Sequence, residues 1–175
     1  MSGSTIAESV PAGADVVPAG TVSVSPADSD ASCRLPVGLM FASAVVWVLF
    51  SSVCALLASI KLHSGAFLSS CPTVTYGRLY AAATNSFLYG FALQVGLGTA
   101  VWMMARTSAA TLRNPIATAV GAAFWNLGVT IGVCGIIAGY NTGYEWLEFP
   151  GQAALLLFAA FSVVAVQAQI GRAHV

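Results

Sequence analysis

The fold of this chain is decided by uncharged apolar stretches, one of which reads IATAVGAAFWNLGVTIGVCGIIAGY over residues 116–140. Of the 175 residues, 58% are apolar and only 7% are charged, whereas a soluble domain has about a quarter of its residues charged. An apolar stretch of about 18 or more residues with few charges is typical of a transmembrane helix. The composition therefore predicts a membrane protein.

Four stretches of this kind lie between residues 35 and 169. Each has roughly 20–26 residues, or about 30–39 Å of helix, which is enough to cross the hydrocarbon core. Helices are expected because a backbone in lipid must satisfy its hydrogen bonds within its own segment. We predict an all-α membrane protein with four transmembrane helices, over residues 37–60, 79–104, 116–140 and 150–169.

The first 34 residues belong to another class of sequence. They are rich in Ser, Ala, Pro, Gly and Val and have neither a positive segment nor an apolar one, so they do not read as a signal peptide. Such a segment buries too little apolar surface to offset the entropy of ordering. We predict a disordered tail over residues 1–34, with a partner-binding arm as the alternative.

Small and polar residues inside the predicted helices indicate how the helices associate. Two GxxxG pairs in the third stretch would let backbones approach closely in lipid: Gly128 with Gly132, and Gly135 with Gly139. Polar groups in a membrane need partners, so we expect interhelical hydrogen bonds. The side chains concerned are Asn85, Gln94, Asn126 and Thr130. Since no acidic or basic side chain lies in the central part of any stretch, a proton relay built from these helices alone is not expected.

A motif opens the second stretch. Residues 75–91 read TYGRLYAAATNSFLYGF. This run resembles the start of the second transmembrane helix of the haem–copper oxidase catalytic subunit, closest to the cbb3-type cytochrome c oxidase. The positions in register are Thr75, Tyr76, Gly77, Arg78, Leu79, Thr84, Asn85, Tyr89, Gly90 and Phe91. The family's histidine, an axial ligand of the low-spin haem, falls on Ala83, and a methyl group cannot bind iron.

Other positions of the motif also depart from the family. Arg78 matches the first arginine of the family's run, but Tyr80 stands at the second arginine and Ala81 at the proline. The resemblance therefore implies a place for Arg78 near the haem, while the arginine pair that would face the propionates is incomplete.

A second resemblance lies around the third stretch. Trp125–Asn126 resembles a W-N pair of the family's third helix, and residues 143–150, GYEWLEFP, resemble the Y-A-E-L-E-W-P run that enters the fourth helix. In the family, acidic residues of this loop lie near haem propionates and a bound cation. Register carries over Glu148 as a possible cation ligand, and Glu145 is a possible substitute for the second acid. The alternative is a solvated acidic loop with Tyr144, Trp146 and Phe149 as an interfacial aromatic belt.

The resemblance implies the N-terminal part of a subunit of twelve helices. For the complete family member it implies haem b and a haem–copper centre, reduction of oxygen with electrons from cytochrome c, and proton pumping. It implies membrane-anchored cytochrome c subunits as partners, in a bilayer and without nucleic acid. The expected location is the bacterial cytoplasmic membrane with the N-terminus in the cytoplasm, which a weak excess of positive charge on that side also favours. No catalytic residue is assigned to this chain.

Three alternatives stay open beside the oxidase interpretation. The first is a non-catalytic structural or assembly paralogue that keeps the helices and has lost haem binding, which Ala83 and Tyr80 favour. The second is a relative of the nitric oxide reductase large subunit. The third is an unrelated four-helix membrane protein.

The last six residues have an unusual reading. Residues 170–175, IGRAHV, can be written back as ATC GGA AGA GCA CAC GTC, a common sequencing adapter in one reading frame. We therefore expect these residues to be an artefact, and Arg172 and His174 receive no role.

Overall fold

The structure is a computed structural model that describes residues 24–170, with side chains described as far as Gln167. These residues form four helices and no strand: α1 (Pro26–His63), α2 (Tyr76–Thr107), α3 (Pro115–Ala138) and α4 (Gly151–Ile170). The predicted all-helical fold is confirmed. By length and composition α1, α2 and α3 can each cross a membrane, and α4 is a further apolar helix.

The first helix begins earlier than the sequence predicts, so residues 26–34 are helical rather than part of a disordered tail. Ser25 caps the helix by accepting a hydrogen bond from the Asp28 backbone nitrogen at 3.3 Å. Pro26 in the first turn needs no hydrogen-bond partner for its nitrogen. The composition of this segment indicates disorder, but Ser25 followed by Pro26 is a signal for the start of a helix. Predictions for residues 1–23 and 171–175 lie outside the described residues.

The second helix changes its hydrogen-bond spacing halfway along. Thr75 caps its start, and the segment Ser86–Ala92 is π-helical. Such segments are rare in proteins, and many of those that are known lie at functional sites. Gly90 lies within the π-helical segment, where a Cβ atom would be only 2.5 Å from Cγ of Trp47. The segment therefore lets α1 and α2 approach more closely than a larger residue would permit.

Glycines of α3 face α4 and the residues just before it, which confirms the predicted packing role for the pair Gly128 and Gly132 but not for Gly139 of the second pair. Gly128 lies against Leu157, and Gly132 lies against the ring of Phe149. Gly139 has another role, because it ends α3 in the left-handed conformation with φ of 96°. Close packing of this kind is what holds helices together where lipid offers no hydrophobic drive for association.

The helices enclose a core in which alanines and other small side chains pack with a few large ones, and they expose large apolar side chains. α1 packs against α2 and α3, and α3 packs against α4. Ala82, Trp125 and Phe149 belong to the larger buried cluster, while Met40 and Val101 belong to a second one. The outer faces of the helices carry large exposed apolar side chains, as expected for contact with lipid.

Candidate functional site

The two stretches that carry the resemblance contact each other. The Asn85 side-chain amide donates a hydrogen bond to the Glu148 carboxylate. The Tyr89 hydroxyl donates to the Trp146 carbonyl over 3.0 Å. The Tyr89 and Phe149 rings pack with centroids 5.0 Å apart. These five residues, from α2 and from the connection between α3 and α4, form one group that we call the motif cluster.

The pair Trp125–Asn126 holds the motif cluster to the rest of the bundle. Trp125 Nε1 donates to the Tyr89 carbonyl, inside the π-helical segment, over 2.9 Å. Asn126 faces α1 instead, and its Oδ1 accepts a hydrogen bond of 2.9 Å from Trp47 Nε1. The predicted interhelical hydrogen bond of Asn126 is therefore confirmed, and these adjacent residues of α3 bind α2 and α1 respectively.

The loop before α4 is only partly the predicted aromatic belt. Tyr144 and Trp146 are exposed, as a belt requires, but Phe149 is 1% exposed and packs beneath α3. That part of the prediction is wrong because Gly132 leaves a recess that the ring of Phe149 fills. Trp146 has a φ of 71°, an uncommon backbone conformation for a bulky residue. Its carbonyl is the one that Tyr89 binds.

Ala83 lies in a packed helix contact. It is 6% exposed, and its carbonyl accepts a hydrogen bond of 2.8 Å from the Ser51 hydroxyl of α1. The same residue borders an open groove of about 640 Å³ between α1 and α2. Ala83 therefore contributes to helix packing through its backbone and also borders the groove.

The residues around this groove do not fit a haem ligated at position 83. Among its described lining residues there is no His, Met or Cys, the side chains that commonly ligate haem iron in electron-transfer proteins. Tyr76 and Tyr80 are the remaining lining groups able to bind iron, and their rings stack on each other at 5.9 Å. His63 is exposed at the end of α1. No reaction step is derived through a haem in this chain.

Arg78 links the connection between α1 and α2 to the end of α3 through hydrogen bonds. Its Nη1 donates to the Pro72 carbonyl over 3.0 Å and to the Ile137 carbonyl over 3.2 Å. The second acceptor belongs to the last turn of α3, where unpaired carbonyls and the helix dipole favour a cation. The contacts of Arg78 explain its presence without a propionate. The left-handed Gly139 gives the guanidinium the space it occupies.

Glu148 and Glu145 have different surroundings. Glu148 is half-buried and is bound by Asn85, while Glu145 is exposed. Within the described residues no three His, Cys, Asp or Glu side chains come together as a metal site would require. Calcium takes about six to eight oxygen ligands, so one bound carboxylate defines no cation site. The role of Glu148 as a cation ligand stays a prediction.

A second set of polar side chains lies between α1, α2 and α3. Gln94 of α2 and Asn126 of α3 both donate to the Ser43 hydroxyl of α1. Gln94 is 1% exposed, and its side-chain oxygen has no partner among the described residues. Gln94 and Asn126 were expected to form interhelical bonds, but Ser43 and Trp47 were not expected as their partners. The polar side chains within an otherwise apolar stretch were the available signal.

No protein-family profile, curated protein or solved structure matches this chain. Its class follows from the residues that the structure describes. The chain is an all-helical protein whose long apolar helices are those of a membrane-embedded protein.

Proposed function

We propose that this chain is the N-terminal membrane unit of a cbb3-type oxidase subunit I-like protein, in which it supports the helix bundle and binds no low-spin haem at position 83. In this proposal it belongs to a twelve-helix subunit in a bacterial cytoplasmic membrane, with its N-terminus in the cytoplasm. Its partners are membrane-anchored cytochrome c subunits, and haem b and the haem–copper centre belong to the complete relative.

The observation that carries this proposal is the motif cluster. Two sequence segments about 60 residues apart resemble the same family, and their residues meet through Asn85 and Glu148. Trp125 adds a third contact by binding the Tyr89 carbonyl. An accidental resemblance of isolated segments gives no reason for the matched residues to be partners, whereas a shared helix arrangement does.

The surroundings of Ala83 favour a supporting role over a catalytic one. Its backbone bond to Ser51 and its burial serve the contact between α1 and α2. The structural or assembly paralogue is the second candidate. The burial of Ala83 and its hydrogen bond to Ser51 favour this candidate too. The two candidates differ in whether a complete oxidase-type subunit surrounds the four helices.

The test combines the transcript with the purified protein. Sequencing the source transcript across codon 169 should show a frame that continues into further helices with the family's histidines. A stop codon soon after the fourth helix would favour the paralogue.

The protein, tagged and purified from its native membrane, should bring a c-type cytochrome with it. Its reduced-minus-oxidised spectrum should lack a six-coordinate b-type haem ligated through position 83. A complex without any c-type cytochrome would contradict the proposed partners. A low-spin haem that survives in an Ala83→Leu variant has its ligands elsewhere. A six-coordinate b-type haem in the spectrum of the unaltered chain purified without further subunits would overturn the assignment of position 83.

A further inference from the structure

A second groove lies between the beginning of α1 and the end of α2, away from the motif cluster. Its volume is about 580 Å³, and it opens sideways from the helix pair. The lining residues that matter are Asp30, Arg34, Val37, Gly38, Phe41 and Trp102. On α1, Asp30, Arg34, Gly38 and the neighbouring pair Val37 and Phe41 recur every three or four residues, so they form one stripe along the helix. We call this site the interfacial groove.

The interfacial groove is charged at one end and apolar at the other. Asp30 and Arg34 lie in the N-terminal part of α1, before its apolar stretch begins. Val37 and Phe41 lie within that stretch. At 1.5 Å per residue, Phe41 is about 10 Å deeper along the helix than Arg34. Trp102, whose indole has both an apolar ring and a polar N–H, forms the wall from α2, a position typical of the membrane interface.

The negative charge in the interfacial groove is already bound. The Asp30 carboxylate accepts a hydrogen bond of 2.9 Å from Trp102 Nε1 and pairs with Arg106 at 3.0 Å. Arg34, by contrast, makes no side-chain hydrogen bond or ion pair among the residues that the structure describes. Asp28 lies two residues from Asp30, which places it about 200° around the helix and away from the stripe. The unpaired charge that faces this groove is therefore positive.

The apolar part of the groove is open because Gly38 has no side chain. A Cβ atom there would meet nothing within 4 Å. Phe41 is exposed beside it, and Val37 forms the floor with 9% exposure. The lining of the groove thus changes from the charged Arg34 to the apolar Val37, Gly38 and Phe41.

We propose that the interfacial groove binds one anionic phospholipid, with its phosphate on Arg34 and one acyl chain along Val37, Gly38 and Phe41. A phospholipid matches the groove, because its charged headgroup is followed by an apolar acyl chain, just as the charged end of the groove is followed by an apolar one. Guanidinium groups bind phosphate oxygens with two parallel hydrogen bonds, which gives Arg34 a specific role. A headgroup amine would be repelled by Arg34, and the Asp30 carboxylate that could attract it is already bound by Arg106 and Trp102, so a headgroup without an amine is preferred. This inference does not depend on the proposed function.

The experiment measures lipid retention by the full chain in a mild detergent. Native mass spectrometry is recorded with phosphatidylglycerol and with phosphatidylcholine of identical acyl chains. The chain should retain phosphatidylglycerol preferentially, and Arg34→Gln should weaken that retention about tenfold, the loss expected for a charge-assisted hydrogen bond. Arg113→Gln is the matched control, because Arg113 lies near the same end of the bundle but does not line the groove. It should leave retention unchanged.

A second variant tests the acyl-chain part of the groove. Gly38→Leu fills the depression without changing charge, so it should reduce retention of both lipids, while circular dichroism confirms that the helices form. Equal retention of the two lipids by the unaltered chain, or equal effects of Arg34→Gln and Arg113→Gln, would overturn the proposal. Displacement of the lipid by inorganic phosphate at comparable concentration would show a simple anion site instead. A second copy of the chain that occupies the groove, detected as a dimer lost in Gly38→Leu, would also overturn it.

Discussion

Replacing Gly132 by alanine tests how α3 and α4 are held together. An added Cβ atom would lie 2.5 Å from Cδ1 and 2.7 Å from Cγ of Phe149. Cγ is close to the backbone, so the ring cannot avoid the contact by a small rotation of its far end. Tyr89 packs on the same ring at 5.0 Å and Phe149 is 1% exposed, which leaves no space into which the ring can move. The helices must therefore separate, and overpacking of this kind costs about 1–3 kcal/mol.

The matched control is Gly96→Ala on the exposed face of α2. Nothing lies within 4 Å of a Cβ atom at position 96. Both substitutions gain about 1 kcal/mol of helix propensity, so their difference isolates the crowding. In reversible unfolding by sodium dodecyl sulfate in mixed micelles, followed by circular dichroism, Gly132→Ala should be less stable than Gly96→Ala by about 1–3 kcal/mol.

Equal stability of the two variants would refute the proposed contact between Gly132 and Phe149. A further check combines Gly132→Ala with Phe149→Ala, which removes Cγ and the ring atoms that the new methyl group meets. The double variant should be more stable than the sum of the single effects predicts, because the two residues are in contact. Strict additivity would contradict the contact.

Three further predictions concern polar contacts of the described residues. Arg78→Gln removes the donor that binds carbonyls of the α1–α2 connection and of the last turn of α3. Hydrogen exchange of backbone amides in the α1–α2 connection should therefore become faster. Unchanged exchange would contradict the role of Arg78. The Thr73 hydroxyl, 3.5 Å from Cys71 Sγ, lowers the pKa of the Cys71 thiol below its ordinary value. A lower pKa gives more thiolate at a given pH, so Thr73→Val should move the pH profile of Cys71 alkylation, read by peptide mapping, to higher pH, whereas an unmoved profile would exclude this cause. A double-mutant cycle of Trp47→Phe and Asn126→Leu should give a coupling of about 0.6 kcal/mol, the average for hydrogen bonds between membrane helices. A coupling of zero would contradict the bond.

The positions of the helices were largely predictable because lipid imposes a simple requirement. Residues 116–140 contain no charge, and the observed α3 runs from Pro115 to Ala138. The beginning of α1 was not predictable from hydropathy, since residues 26–34 are polar and small. They are helical because Ser25 caps them and because Asp30 and Cys33 find partners on α2. Contacts distant in sequence overrode the composition.

The candidate site was predictable in its residues but not in their partners. Asn85, Trp125 and Glu148 stood out from the sequence by resemblance, and Asn126 by its polarity. That Asn85 binds Glu148, and that Asn126 turns towards Trp47, depends on the rotation of each helix about its axis. This rotation is set by which small residues face a neighbour, and a single stretch of sequence does not contain that information.

The amino-acid sequence by itself determined that this chain is helical and suited to a membrane, because uncharged stretches of sufficient length satisfy their backbone hydrogen bonds only as helices there. It also determined that position 83 carries no iron ligand. The tertiary structure decided the rest: it brought the motif cluster together, buried Phe149 against Gly132, and placed Arg34 beside an apolar depression without an ion pair among the described residues. These features arise from contacts between helices, where close packing at small residues fixes which side chains meet.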